Sequence, residues 1–211
     1  MDNFNETKNT WNKLANLYQE RFMDLNIYNE SYDLFIEKLL TKNSNILEIG
    51  CGPGNISKYL LSKNPNLNIL GIDYSTNMVE LAKINNPNAK YNVLDCRNLE
   101  TINQKFNGII CGFCLPYLTP VECEKLILDC YLLLNTKGII YLSFVEGNPL
   151  SSTFQTNSLG NRVFFNFHDL KLIIDLLEKF KFKETIVSKV DFKRSEKENE
   201  THTIIISRKT D

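Results

Sequence analysis

Apolar residues recur every three or four places between positions 10 and 40, and that repeat predicts two amphipathic helices. Over residues 10–22, Trp11, Leu14, Ala15, Tyr18 and Phe22 share one side, with Asn12, Lys13, Glu20 and Arg21 opposite. Over residues 31–40, Leu34, Phe35, Ile36, Leu39 and Leu40 turn inward. From position 46 the pattern changes to short apolar runs separated by helical stretches, the alternation of a parallel sheet covered on both faces.

The runs predict strands at residues 46–49, 68–72, 89–94, 108–113 and 139–145. A helix over 55–62 follows the first strand. Ser75 caps another over 76–85, with Met78, Val79 and Ala82 on its apolar side, and Pro87 stops it. Thr119-Pro120-Val121-Glu122 reads as an N-cap, a proline at the first helical position and a capping-box glutamate. The helix it starts carries Cys123, Leu126, Ile127, Cys130 and Leu134 inward, and Gly138 is expected to end it. Asn166 and Asp169 open a further helix with Leu170, Ile173, Ile174, Leu177 and Phe180 on one side, and runs at 182–192 and 202–207 close the chain as a hairpin. The sum is an α/β fold: a Rossmann-like, doubly wound seven-stranded sheet, mostly parallel with an antiparallel last strand, and helices on both faces. Residues 146–165, rich in glycine, serine and asparagine with aromatic interruptions, form a loop or a small lid.

At 211 residues, 43% apolar and 23% charged, the chain suits one domain over 1–211, with helices 10–40 and the insert 146–165 as cap or substrate region. Its 24 basic and 25 acidic side chains leave a net charge of -1, which gives no basic nucleic-acid face. The charge-rich stretch 189–197 mixes signs and reads as a solvated hairpin tip. The first residues are polar and no run is long enough to span a bilayer, so the expectation is a cytoplasmic protein without membrane or nucleic-acid partners, a monomer or homodimer. Six cysteines raise the question of metal or redox chemistry. Cys111 and Cys114 have redox spacing but no helix starts at the first, and Cys123 and Cys130 fall on a helical apolar face; all read as reduced structural thiols, with no metal site.

Candidate chemistry begins at residues 46–57, ILEIGCGPGNIS. Gly50, Gly52 and Gly54 let the backbone turn sharply and approach a ligand. The dinucleotide pattern wants glycine or alanine where Asn55 stands, and Glu48 inside the strand suits a cationic ligand better than a pyrophosphate. Asp73, ending the next strand, is placed to take both ribose hydroxyls of a nucleoside, which both ligand classes need; the structural alternative is a capping acid before Ser75. With the glycine turn, Asp73 in LGIDYS and Asp95 in YNVLDC at the ends of three successive predicted strands, the sequence resembles the class I methyltransferases that use S-adenosylmethionine, and in particular their small-molecule branch.

The resemblance implies S-adenosylmethionine as cofactor, held in the crevice that includes Gly50, Cys51, Gly52, Gly54, Asp73, Asp95 and Cys111. Asp95 would accept from the adenine amino group, Cys96 would offer its amide to a ring nitrogen, and Tyr74 and Met78 would flank the base. Glu48 would order the glycine loop and the methionine amine, finding partners in its buried strand or remaining neutral. Trp11, Ala15 and Tyr18 match a stretch that lies over the cofactor cleft in that branch, with Tyr18 against the methionine end; an ordinary core tyrosine is the alternative.

On the acceptor side stand Phe113 and Tyr117 after the fourth strand, and Arg162 and His168 after the fifth. His168 and Tyr117 are the candidate catalytic groups, His168 as a base against the alternative of a capping residue. Phe113, Tyr117 and Arg162 are candidate acceptor contacts, with Arg162 able to hold a carboxylate or phosphate. The expected activity is in-line methyl transfer to a nitrogen, oxygen or carbon atom of a small molecule. Competing readings are a non-catalytic S-adenosylmethionine-binding protein, a methyltransferase of RNA or protein, and a nicotinamide-dependent oxidoreductase, the last disfavoured by Asn55 and Glu48.

Overall fold

A computed structural model describes residues 3–193 and 199–210. Five parallel strands, β1 (Asn45–Ile49), β2 (Asn68–Asp73), β3 (Lys90–Val93), β4 (Phe106–Gly112) and β5 (Leu134–Val145), form most of one sheet. The two strands of the closing hairpin, β8 (Phe182–Lys193) and β9 (Asn199–Lys209), complete it in the order β3-β2-β1-β4-β5-β9-β8. β9 slots between β5 and β8 and is antiparallel to both. The expected seven-stranded sheet is therefore present with its antiparallel last strand. The expected solvated hairpin tip falls in part on residues 194–198, which lie outside the described residues.

Alternation along β1 divides the core in two. Leu47 and Ile49 enter a cluster with Ile109, Cys111, Ile127 and Leu177, beneath α6 (Pro120–Leu133) and α7 (Leu170–Lys179). Ile46 enters the opposite cluster with Phe35, Leu60 and Tyr141, beneath α3 (Asn29–Lys38) and α4 (Asn55–Lys63). Successive strand side chains point to opposite faces, so Glu48 falls on the Ile46 side and is fully buried there. α5 (Thr76–Asn85) starts at Ser75, whose hydroxyl accepts from the Met78 amide, and α6 starts at the expected Thr119–Glu122 capping box.

Three local expectations need correction. The first predicted helix is two, α1 (Asn3–Lys13) and α2 (Ala15–Phe22), broken at Leu14, and α1 starts in the polar leader. Tertiary contact holds that leader: the Thr7 hydroxyl accepts from the Phe164 amide at 2.9 Å. Gly138 does not end α6, which stops at Leu133 and runs straight into β5; the bend falls at Lys137, with φ 62°. Asn166 does not open α7: its amide donates to the Pro116 carbonyl at 2.7 Å, and Asp169 alone is the N-cap. Between β5 and α7 lies a small antiparallel pair, β6 (Thr153–Thr156) and β7 (Arg162–Phe165), docked on α1.

Candidate active site

In an open parallel sheet the ligand crevice lies beyond the carboxyl ends of the strands, where the strand order reverses. Here that point is β1 and β4, with β2 beside them. The chain leaves β1 through Gly50 and Gly52, with φ of 67° and 52°, and enters α4 at Gly54, with φ 83°. These are left-handed conformations that favour glycine. At Gly54 a Cβ would also come 2.4 Å from Asn86 Nδ2, so the turn is closed to any side chain.

Asp73 locks this turn to β2. Its Oδ2 accepts from the Gly52 amide at 3.0 Å and its Oδ1 from the Ser75 amide at 2.8 Å. Burial pushes its pKa up to about 6, which leaves the carboxylate ionised at neutral pH. Glu48 is buried more deeply. Ser57 donates to one of its oxygens, the other has no partner, and burial pushes its pKa up to about 8. At neutral pH it is mainly the uncharged acid.

The turn opens into a cavity of about 220 Å³ lined by residues from every layer of the molecule. Of the residues singled out from the sequence, Tyr18, Gly50, Gly52, Asp73, Tyr74, Met78, Cys96, Phe113 and Tyr117 line it. The Tyr74 hydroxyl is buried without a hydrogen-bond partner, a polar group that a bound ligand would satisfy. Tyr117 packs its ring 5.8 Å from Trp11 and 6.3 Å from Phe165. Burial raises its phenol far above the usual tyrosine range, and its ring forms part of the aromatic wall.

The remaining expected site residues lie elsewhere. His168 is fully buried beneath the cavity floor, and its Nε2–H donates to the Leu115 carbonyl at 2.8 Å. Burial lowers its pKa, so it is a neutral fastener of the turn that carries Tyr117, and it does not line the cavity. Arg162 pairs with Glu6 and lies 4.2 Å above the Phe154 ring, outside the cavity; it ties β7 to α1. Asp95 is not in the lining either, though its neighbours Leu94 and Cys96 are; Arg97 donates to its carboxylate at 2.7 Å. Cys111 points into the core beneath α6, and the Cys51 side chain packs with Val79, Ala82 and Tyr91.

The sequence reading missed most of the opposite wall. Tyr28, Phe192, Glu200 and His202 line it. Tyr28 sits just before α3 in a stretch without periodicity, and His202 lies in the closing hairpin, 174 positions away. Its only signal in the sequence is a lone polar ring opening the apolar run of β9.

The fragment 46–138 matches the family described as a methyltransferase domain. The chain is 34% identical over 85 residues to 235L of Invertebrate iridescent virus 6, a protein assigned as a methyltransferase; the match covers 40% of this chain and 32% of the viral one. It is 29% identical over 124 residues to the carboxy-S-adenosyl-L-methionine synthase of Campylobacter jejuni, covering 55% and 52%. The chain thus spans about a third to a half of the length of these relatives. Its fold is shared with magnesium protoporphyrin IX methyltransferase from Synechocystis, solved with bound S-adenosylmethionine: TM-score 0.72 at 14% identity, covering 100% of this chain and 98% of that one. With the glycine turn, Asp73 and the seven-stranded sheet in place, residues 46–138 are similar to methyltransferase domains, and the chain shares its fold with a methyltransferase solved with S-adenosylmethionine.

Proposed function

We propose that the protein transfers the methyl group of S-adenosylmethionine to a small, largely aromatic acceptor bound in the cavity. The observation that carries this reading is the continuity of that cavity. It runs from Gly50, Gly52 and Asp73 to a wall of Tyr28, Phe113, Tyr117 and Phe192. The residues fit the cofactor. The Asp73 oxygens each accept one amide hydrogen and retain lone pairs for ribose hydroxyls, Tyr74 and Met78 stand beside them, and Tyr18 covers the glycine turn.

When bound, the cofactor supplies a methyl carbon activated by positive sulfur. The protein then has to align an acceptor in line with that carbon and keep water out. α2 and the β6–β7 pair docked on α1 serve as the cap that does so. Thr10 donates to the Arg162 carbonyl at 2.8 Å, and Lys13 to Asn161 at 2.9 Å, which holds the cap to the N-terminal helix.

No lysine or arginine lines the cavity among the described residues. That counts against a phosphate-rich acceptor such as RNA and against a cofactor bearing a second carboxylate, which the Campylobacter relative's name implies for its product. Calorimetric titration with S-adenosylmethionine and its demethylated product, then labelled-methyl incorporation into a metabolite extract, total RNA and protein, tests the reading. Saturable binding with counts in the metabolite fraction is the expected result. Counts in RNA or protein alone would overturn the small-molecule acceptor.

A further inference from the structure

Across the cavity from Asp73, three side chains from distant parts of the chain form one hydrogen-bonded line. The Tyr28 hydroxyl is 2.6 Å from His202 Nδ1, and His202 Nε2 is 3.4 Å from Glu200 Oε2. All three line the cavity. The His202 ring lies in a stack: its centroid is 5.0 Å from Phe192 at an interplanar angle of 19°, and 5.9 Å from Tyr28 at 14°. Phe113 meets it edge-on at 4.7 Å.

The chemistry of the line has a direction. Glu200 beside Nε2 favours the proton on that nitrogen, which leaves Nδ1 as the acceptor of the Tyr28 hydroxyl. Nδ1 therefore faces the Tyr28 hydroxyl as an acceptor, Nε2 faces Glu200, and the ring lies between those of Phe192 and Tyr28. Glu146, at the end of β5, is engaged by Lys189 at 3.0 Å and by the Thr203 hydroxyl at 3.3 Å; Val145 and Val190 are the cross-strand neighbours of His202. Burial holds the Tyr28 phenol well above the usual range, so Tyr28 passes a proton along and does not store a charge.

We propose that Tyr28, His202 and Glu200 are a proton relay that deprotonates the acceptor, and that the acceptor is therefore an aromatic hydroxyl. This rests on the methyltransferase reading above. An amine already offers its lone pair and loses its proton only after attack, whereas a phenol needs its proton removed as it attacks. The aromatic walls accommodate its ring, and among the described residues the cavity offers no lysine or arginine for an acidic substituent.

In the step, the acceptor oxygen bonds to the methyl carbon while the carbon–sulfur bond breaks and its electron pair stays on sulfur. The acceptor's proton moves to the Tyr28 oxygen as the Tyr28 proton moves to His202 Nδ1. The products are the methyl ether, S-adenosylhomocysteine and a protonated His202, whose proton returns to solvent when product leaves. Tyr28 is the catalytic residue of the three; His202 and Glu200 act through it.

The test uses 4-nitrophenol, whose anion is yellow, added to the protein saturated with S-adenosylhomocysteine. Bound probe is expected to ionise at a pH about one unit or more below the free probe, a tenfold shift in its ionisation equilibrium. The shift should vanish in Tyr28→Phe and in His202→Asn, with probe binding retained, and should shrink in Glu200→Gln. Unfolding midpoints check that each variant is folded; where Tyr28→Phe is not, His202→Asn decides. Absence of probe binding, binding in the neutral form, or a shift that survives in folded His202→Asn would each overturn the relay. Calorimetry of S-adenosylhomocysteine on the same samples separates the two failures: bound nucleoside without a probe shift removes the relay alone, and no bound nucleoside removes the methyltransferase reading.

Discussion

The Tyr28 hydroxyl and His202 Nδ1 are 2.6 Å apart, joining the segment before α3 to the strand that sits between β5 and β8. This contact closes the far wall of a cavity whose near wall is the glycine turn and Asp73. One wall is built from residues close in sequence. The other exists only because the closing hairpin inserts its last strand beside β5.

Asp73 is the group on which cofactor affinity should depend most. Hydrogen bonds to a charged acceptor are worth about 1.5–3 kcal/mol each. Asp73→Ala is therefore expected to weaken S-adenosylmethionine binding at least about tenfold, as read by calorimetry. An unchanged affinity would remove Asp73 from the cofactor site.

Glu48 should give the fold a measurable pH dependence. Its folded pKa of about 8 lies above the ordinary carboxylate value of 4.5, so between those pH values the folded chain holds a proton that the unfolded chain has lost. Stability from this group is fully present below about pH 4.5 and declines as pH rises toward 8. Asp73, pushed up to about 6, adds in the same direction between its ordinary 3.8 and that value. Glu48→Gln, which needs no proton, is expected to flatten the fall of the unfolding midpoint between pH 6 and 8 (about the upper part of that window). A slope as steep as in the parent chain would contradict a neutral, buried Glu48.

His168→Ala should behave as a structural change. It removes one of the two hydrogen bonds that the Leu115 carbonyl accepts, the other coming from the Leu118 amide at 2.9 Å, which costs about 0.5–1.5 kcal/mol of stability in denaturant unfolding. The pH profile of methyl transfer should keep its shape. A lost acidic limb in that profile would return His168 to the role of base.

Arg162 and Glu6 form a solvent-exposed pair that fastens the β6–β7 hairpin to α1. Exposed pairs are screened by salt. Hydrogen exchange over residues 153–165 should quicken as salt is raised, and Arg162→Ala should abolish that salt dependence while leaving the global unfolding midpoint unchanged. An acceptor affinity that falls in the variant without faster exchange would place Arg162 in the acceptor site.

What could be read from the sequence was local. Most strand and helix periods, the Ser75 and Thr119 caps, and the left-handed glycines of the turn each depend on residues close together in the chain, and these stand near where the pattern put them, apart from the break at Leu14, the end of α6 and the start of α7. Strand alternation even fixed the burial of Glu48. Side-chain direction after a turn was not local. Cys111 at the end of β4 and Cys51 in the turn after β1 both point into the core, Cys111 because the strand pleat turns it there. Asp95 and Arg162 met partners at Arg97 and Glu6, and neither lines the cavity.

The sequence by itself determined the sheet, its helices and the nucleoside-binding turn, since hydrophobic period and backbone conformation are written in short stretches. The tertiary structure alone decided the acceptor wall. His168 looked like the base because it follows β5, yet it is buried under Leu115, while His202 reaches the cavity from 174 positions beyond Tyr28. Such a pairing is set by the order in which strands assemble, and no interval along the chain encodes it.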